Sequence, residues 1–299
     1  MIPTPQQDVT RSPGQIVIGL EQTADGKMWL DASFRARLEG AGLTGFEAVM
    51  RASRGQCLRV LPDRENWRLE LNQPGARSGG FYLKKHHVRT VPSRVRAVLG
   101  AAAGETPGRI EADNVGRLAT AGVGSMRLVA FGEQLSRDGR LESFVLTEEL
   151  EGFEPLDDFL RRHFGPAVPE PHSSCDRRLR RLLRETASVA RRFHAAGYNH
   201  RDFYCCHFFV REAVPGRFEI RLIDLQRMQQ RRRLRRRWLV KDLAQLAYSA
   251  PRDRVGCKLR LAFLRHYLGV DKLRPGDKRL IRQVLRKQKL MERRRGTSA

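Results

Sequence analysis

Asp202 and Asp224 stand 22 positions apart, each beside apolar residues that would anchor it. The first closes the triplet His200-Arg201-Asp202, and the second ends the apolar run Ile220 to Ile223. Phosphoryl transfer from a nucleotide needs such a pair. One carboxylate orients the acceptor hydroxyl and takes its proton, and the other holds Mg²⁺ against the phosphates. The same chemistry asks for an upstream lysine at the phosphates and a glutamate to hold it. Lys84 follows the apolar segment Phe81-Tyr82-Leu83, and Glu111 opens a helical segment, both ahead of the aspartates. Each has a plain alternative. Strand-end lysines are commonly just solvated, and a first-turn glutamate complements the helix dipole. Their order makes the combination more specific than its parts. Lys85 is the competing lysine, and strand alternation puts it on the opposite face from Lys84.

Four further features bear on the same chemistry. His207 lies five residues after Asp202. A neutral imidazole can bind a metal, but Mg²⁺ prefers oxygen, so a histidine that only hydrogen-bonds its loop is an equal alternative. Asp242, in Lys241-Asp242-Leu243, is either a brace beneath the His200 loop or an aspartate at a helix N-terminus. Arg231, Arg232, Arg233, Arg235, Arg236 and Arg237 form a run downstream of Asp224, where an acceptor would enter. Guanidinium forks suit phosphate and carboxylate, whereas a charge run is usually a solvated helix face. No Gly-x-Gly-x-x-Gly loop occurs between residues 57 and 71. The turn from Pro62 to Asn66 is expected to cover a nucleotide instead, with Arg64 and backbone N–H groups.

Composition narrows the company this chain keeps. Its 299 residues hold 48 Arg and 9 Lys and give a net charge of +24. Such an excess suits nucleic acid, an anionic membrane surface or a phosphorylated glycolipid. A G+C-rich coding sequence also favours Arg over Lys. The five cysteines form no Cys-x-x-Cys pair, so neither a disulfide framework nor a zinc site is indicated, and a reducing cytoplasm is expected. Met1 to Gly14 has no apolar signal core, and no apolar run approaches the ~20 residues of a spanning helix.

Along the chain, residues 1–15 read as a disordered lead and Ile16 to Leu20 as a short strand. Cys57 to Leu71 alternates as strand, turn and strand. Gly79-Gly80 reads as a turn and Phe81 to Leu83 as a strand. Ala97 to Gly108 reads as a loop, and Arg109 to Ala121 as a helix. Arg127 to Phe131 and Ser143 to Leu150 follow as strands. After Gly152 the pattern becomes helical: Leu156 to His163, then Asp176 to Ala196 with apolar residues at helical spacing and Gly197 as its C-cap. Pro166 to Pro171 is a loop between them. Two short strands lead to Asp224, and a basic helical segment runs from Trp238. The expected divisions are an N-terminal extension (1–50), a β-rich lobe (51–150) and a mainly helical lobe (151–299).

Asn199 to Phe209, Asn-His-Arg-Asp-Phe-Tyr-Cys-Cys-His-Phe-Phe, resembles the signature of bacterial lipopolysaccharide kinases, the InaA-like heptose and Kdo kinases of the protein-kinase-like superfamily. Leu222 to Leu225, Arg237-Trp238, Lys241-Asp242-Leu243, Phe131-Gly132-Glu133 and Thr147-Glu148-Glu149-Leu150 are similar to further segments of that family. The resemblance covers residues 55–290. It implies an α+β, bilobal protein-kinase-like fold and a kinase using ATP and Mg²⁺ on an inner-core sugar of lipopolysaccharide or a related anionic glycolipid. It implies Asp202 as base, Asp224 as metal ligand with His207 in the family's histidine position, Lys84 as phosphate ligand and Glu111 as its partner. Glu148, Glu149 and Leu150 would lie at the adenine hinge, with His200 and Asp242 supporting the loop. The enzyme would work in the cytoplasm, or peripherally at the inner face of its membrane, with no obligate nucleic acid. Two alternatives remain at this level. One is a nucleic-acid-binding protein on a degenerate kinase scaffold. The other is a kinase for a protein or small-molecule acceptor, against which the missing Ala-Pro-Glu element argues only for proteins.

Overall fold

The computed structural model describes residues 19–71, 79–99, 105–165, 174–231 and 236–296. The expected lead, most of the first strand, the Pro166 to Pro171 loop, and Arg232, Arg233 and Arg235 lie outside them. Among the described residues, seven antiparallel strands form one sheet. In chain order they are β1 (Glu21–Gln22), β2 (Met28–Leu30), β3 (Gln56–Leu61), β4 (Arg64–Leu71), β5 (Gly79–Arg89), β6 (Leu128–Leu135) and β7 (Arg140–Glu148). Their spatial order is β1-β2-β6-β7-β5-β4-β3. The interior strand β5 pairs Lys84 with Asn66 of β4 on one side and with Val145 of β7 on the other.

Strand alternation sorts the two faces. Phe81, Leu83, Phe144 and Leu146 join Phe34, Phe46 and Val49 in one buried cluster, under α1 (Arg35–Gly40) and α2 (Phe46–Arg51). Residues 21–51 are therefore not an extension outside the lobe; their apolar side chains close one face of its sheet. The opposite face carries Lys84 and packs on α4 (Pro107–Thr120). Thr106 caps that helix by accepting the Arg109 N–H, with Pro107 in the first turn, as expected of both residue types.

Two expectations are corrected here. Gly79-Gly80 is not a turn but the start of β5. Gly80 is small for a reason, since a Cβ there would overlap the Glu149 carboxylate. Ala97 and Val98 are not loop but finish α3 (Val91–Val98), which is nucleated by a Thr90–Ser93 capping box.

The second lobe begins with β8 (Glu154–Pro155) and α5 (Leu156–His163). Next comes α6 (Ser174–Ala195), which buries Leu182, Ala187, Ala190 and Phe193. Gly197 ends it at φ +81°, leading into β9 (Tyr198–Asn199). β10 (Phe208–Val214) and β11 (Arg217–Leu222) form a hairpin beside β8, and β12 (Gln229–Gln230) pairs with β9. Helices α7 (Arg236–Ser249), α8 (Cys257–Leu268) and α9 (Pro275–Gly296) complete the lobe, and none of the described helices is long and apolar enough to cross a membrane. The β-rich first lobe and helical second lobe make the bilobal α+β architecture expected from the resemblance. One hydrophobic cluster runs from Ala112, Val115 and Leu118 of α4 into Phe193, Phe203, Phe208 and Leu222 of the second lobe. Helix α4 therefore belongs to both lobes' packing.

His86, on the Lys84 face of β5, is buried with no hydrogen-bond partner for Nε2. Burial, reinforced by the charges of Lys84 and Arg64, pushes its pKa down to about 4 from 6.5. The folded ring stays neutral where the unfolded one takes a proton. This contribution is complete above pH 6.5 and is lost as pH falls towards 4. The wild type should lose about 2–3 kcal/mol more stability than His86→Leu between about pH 7 and about pH 4.5. Urea unfolding at both pH values checks this, and equal losses would remove His86 as the acid-sensitive group.

Candidate active site

The Lys84 ammonium reaches across the cleft between the lobes. It donates to Glu111 Oε1 at 2.7 Å and lies 3.4 Å from Asp224 Oδ1. Glu111 is fully buried, and Lys84 is its ion-pair partner. Burial opposes the lysine's charge, but Glu111 and Asp224 overcome it and hold the Lys84 pKa above its ordinary value. Asp224 moves in the opposite direction. Against burial, Lys84 and then His207 hold its carboxyl below the usual range. Lys85, on the other face, donates to the Ala52 carbonyl at 2.5 Å and sits over the Trp67 ring. The geometry therefore gives the cleft to Lys84 and the packed underside to Lys85.

Helix α4 sets a second contact one turn along. Asn114, three residues after Glu111 and on the same helical face, donates to the carbonyls of Leu225 at 2.8 Å and Met228 at 3.3 Å. One helix thus positions both Lys84 and the chain that leaves Asp224. Asn114 was not among the expected residues, and its i+3 spacing from Glu111 is the signal for it in the sequence.

The loop that carries Asp202 rests on α7. Asp242 accepts the backbone N–H groups of His200 at 2.8 Å and Arg201 at 3.2 Å. Lys241 and Gln245 donate to the Arg201 carbonyl at 2.6 and 2.8 Å. Gln245 also accepts the Phe203 N–H, and Ser249 accepts that of Cys205. Asp242, Gln245 and Ser249 share one face by helical spacing. Of these, sequence analysis named only Asp242, and the positions three and seven residues on were readable from it. This bracing holds Arg201 at φ +74°. Arg201 and Asp224 (φ +57°) are the only non-glycine residues with positive φ among those described. Such conformations persist only where the surroundings over-determine them.

Two stacked imidazoles link the aspartates, with His200 and His207 centroids 5.7 Å apart. His200 Nε2 donates to the Ile223 carbonyl at 3.0 Å, and burial holds the ring's pKa down. His207 Nδ1 donates to the Asp202 carbonyl at 2.6 Å, with Nε2 3.8 Å from Asp224 Oδ2. Burial opposes its charge, but contacts with Cys206, the Asp202 carbonyl and Asp224 raise its pKa to about 9. The Asp202 carboxylate itself accepts from Arg227 at 2.9 Å.

The remaining expected residues fall at the cleft's borders. Glu148 ends β7, and the Glu149 carboxylate is held by Arg68 at 2.8 Å and Tyr82 at 3.1 Å. Its backbone N–H bonds to Gly80, so this hinge segment is tied to β5, and Leu150 follows. The β3–β4 hairpin turns at Pro62-Asp63, and Arg64 beyond it donates to Gln226 at 3.3 Å. Of the arginine run, Arg231 donates to Gln229 and lies 5.3 Å from the Trp238 ring. Arg237 flanks the same ring, while Arg236 donates to Gln283 of α9.

Asp224, whose side chain is 38% exposed, offers Mg²⁺ a carboxylate oxygen donor. Among the described residues no group of three or more His, Cys, Asp or Glu is placed to hold a metal alone. That donor set fits Mg²⁺, which is usually bound by one or two carboxylates plus substrate phosphates and water.

The sequence model of the lipopolysaccharide kinase (Kdo/WaaP) family matches residues 59–267. The chain is 34% identical over 249 residues to the lipopolysaccharide core heptose(I) kinase WaaP of Pseudomonas aeruginosa, covering 82% of this chain and 85% of that protein. It is 33% identical over 213 residues to the protein of the same description from Escherichia coli, covering 70% and 76%. A solved structure, WaaP in complex with acyl carrier protein, matches with a TM-score of 0.65 at 31% identity, over 90% of this chain and 97% of that one. Its kinase-like fold is the one described above. Matches of this extent in both sequence and structure establish that the chain belongs to the lipopolysaccharide kinase (Kdo/WaaP) family.

Proposed function

We propose that this chain transfers the γ-phosphoryl group of ATP to a heptose or Kdo hydroxyl of the lipopolysaccharide inner core, with Asp202 as the base. The observation that carries the reading is the bridge from Glu111 through Lys84 to Asp224, in a cleft that also holds Asp202. The acceptor class is supported by what the relatives are described as phosphorylating.

In this reading Lys84 neutralises phosphate charge while Glu111 keeps it in place. Asp224, held ionised by Lys84, would hold Mg²⁺, which would supply charge neutralisation at the ATP phosphates. His207 orients Asp224, with Nδ1 fixed on the Asp202 carbonyl and Nε2 3.8 Å from Asp224 Oδ2. Asp202 takes the acceptor hydroxyl's proton as the new P–O bond forms and ADP departs. The hinge at Glu148 to Leu150 borders the adenine, and Arg64 reaches over the phosphates. Arg231 and Arg237, beside Trp238, belong to the acceptor's basic approach. The enzyme works in the cytoplasm, drawn to the anionic inner face of the membrane at roughly 1 kcal/mol per basic residue near the surface. A complex with acyl carrier protein, as in the solved relative, is part of the same proposal.

Asp202→Asn should fold normally and lose about 10²–10⁴-fold in turnover, the usual scale of general-base help. Near wild-type transfer by a folded variant would take Asp202 out of the reaction.

Asp224→Asn and Lys84→Met should each weaken Mg-ATP binding by calorimetry, and unchanged affinity in both would place the nucleotide elsewhere. Lys84→Met should also destabilise the fold by about 3–5 kcal/mol, because it leaves Glu111 buried without a counter-charge. Adding Glu111→Met should restore much of that loss, and a double variant no more stable than the single would argue against the pair. The reaction itself is read as labelled phosphate passing from ATP to inner-core glycolipid. Transfer only to protein or to an aminoglycoside would refute the acceptor.

A further inference from the structure

A groove of about 510 Å³ opens beside Asp202, between α4 and the chain that follows Asp224. Arg117, Arg201, Arg227 and Arg231 line it, against Glu105 and Asp113, so its charged lining is net positive. Arg227 Nη1 lies 2.9 and 3.2 Å from the two oxygens of Asp202. Its side chain is 54% exposed and the Asp202 side chain 22%. The Nε–H groups of Arg201 and Arg231 are both shielded from solvent and lack a hydrogen-bond partner. Both guanidiniums lie near Trp238, at 5.9 and 5.3 Å from its ring.

This arrangement has a chemical consequence for Asp202. Both oxygens of the Asp202 carboxylate already accept from Arg227, so an acceptor hydroxyl has to compete with that guanidinium for them. The pair is half-exposed, and such pairs are weak enough for another anion to compete for the arginine. We infer that this groove is a subsite for a phosphate or carboxylate group carried by the acceptor, and that Arg227 is shared between that group and Asp202. With the subsite filled, Arg227 turns from Asp202 to the anion, joined there by Arg201 and Arg231. Asp202 is then open to the acceptor hydroxyl. An acceptor without the anionic group leaves Arg227 on the base, so specificity is set at the proton-transfer step as well as in binding. The inference rests on the reading of Asp202 as the base. It assigns Arg201 and Arg227, which lie outside the arginine run, to acceptor recognition.

The test uses Arg227→Gln and Arg231→Gln in the full chain. Each is assayed with ATP on inner-core glycolipid and on the same glycolipid stripped of phosphate and carboxylate groups. Both variants should raise the KM for the anionic acceptor at least ~10-fold, the loss expected for one charged hydrogen bond in a binding site, with the KM for ATP unchanged. Arg227→Gln should also raise turnover on the stripped acceptor above wild type, which a merely structural role would not do. Unchanged acceptor KM in both variants, or equal losses on both acceptors, would overturn the subsite while leaving the kinase assignment intact. Failure of the wild type to phosphorylate any core glycolipid would refute the proposed function instead. Direct binding of a hexose phosphate against its parent hexose then decides the subsite. A wild-type preference for the phosphate that Arg227→Gln and Arg231→Gln abolish supports it, and no preference overturns it. Inorganic phosphate is the remaining arm. If it binds as tightly as the hexose phosphate, the groove is a site for the free ion and the acceptor-borne subsite is wrong.

Discussion

The buried carboxylate of Glu111 is the constraint around which the cleft is arranged. A fully buried charge is tolerated only when it is paired, and Lys84 is its partner at 2.7 Å. That pairing fixes how α4 lies on β5. The same helix then holds the chain after Asp224 through Asn114, and its apolar face continues the second lobe's core. The position of Lys84 relative to Asp224 therefore follows from one ion pair and one helix. A shift of α4 would separate the cation from both carboxylates.

The second lobe solves a different problem, that of holding a polar loop in one shape. Helix α7 offers Lys241, Asp242, Gln245 and Ser249 to the backbone of residues 200–205. Each bond satisfies a backbone group, and together they hold Arg201 in a left-handed conformation that a side chain rarely adopts. The stacked histidines extend the support to the neighbouring strand end. His200 fastens the loop to Ile223, and His207 spans from the Asp202 carbonyl to the Asp224 carboxylate. The two aspartates are thus related through rigid rings and backbone bonds rather than through flexible side chains.

Much of this was readable from residue types and order. Aromatic and apolar alternation marked β4 and β5, the long apolar repeat marked α6, and Gly197 marked its end. Leu156 to His163 was anticipated to the residue as α5, and its acidic first turn and basic last turn suit the helix dipole. The misplacements also have physical causes. Two glycines resemble a turn when read locally, but Gly79 and Gly80 pair with Leu71 and Glu70 of β4, and Glu149 packs over Gly80. Residues 21–51 lacked a long periodic pattern because their elements are short, and they are stabilised by the sheet they cover.

The sequence alone determined which groups could do chemistry and their order along the chain. Asp202, Asp224, Lys84, Glu111 and Asp242 were identifiable by type, spacing and family likeness, because local motifs encode local backbone geometry. Only the tertiary structure decided who meets whom. It gave Lys84 rather than Lys85 to the cleft by pairing it with Glu111, and it sent Arg236 to α9 while Arg231 stayed at the groove. It also set Arg227 on Asp202 and put Asn114 and Gln245 into service as braces. These contacts join residues up to 111 positions apart. They depend on the summed packing of a sheet and two helices, for which no single segment carries a signal.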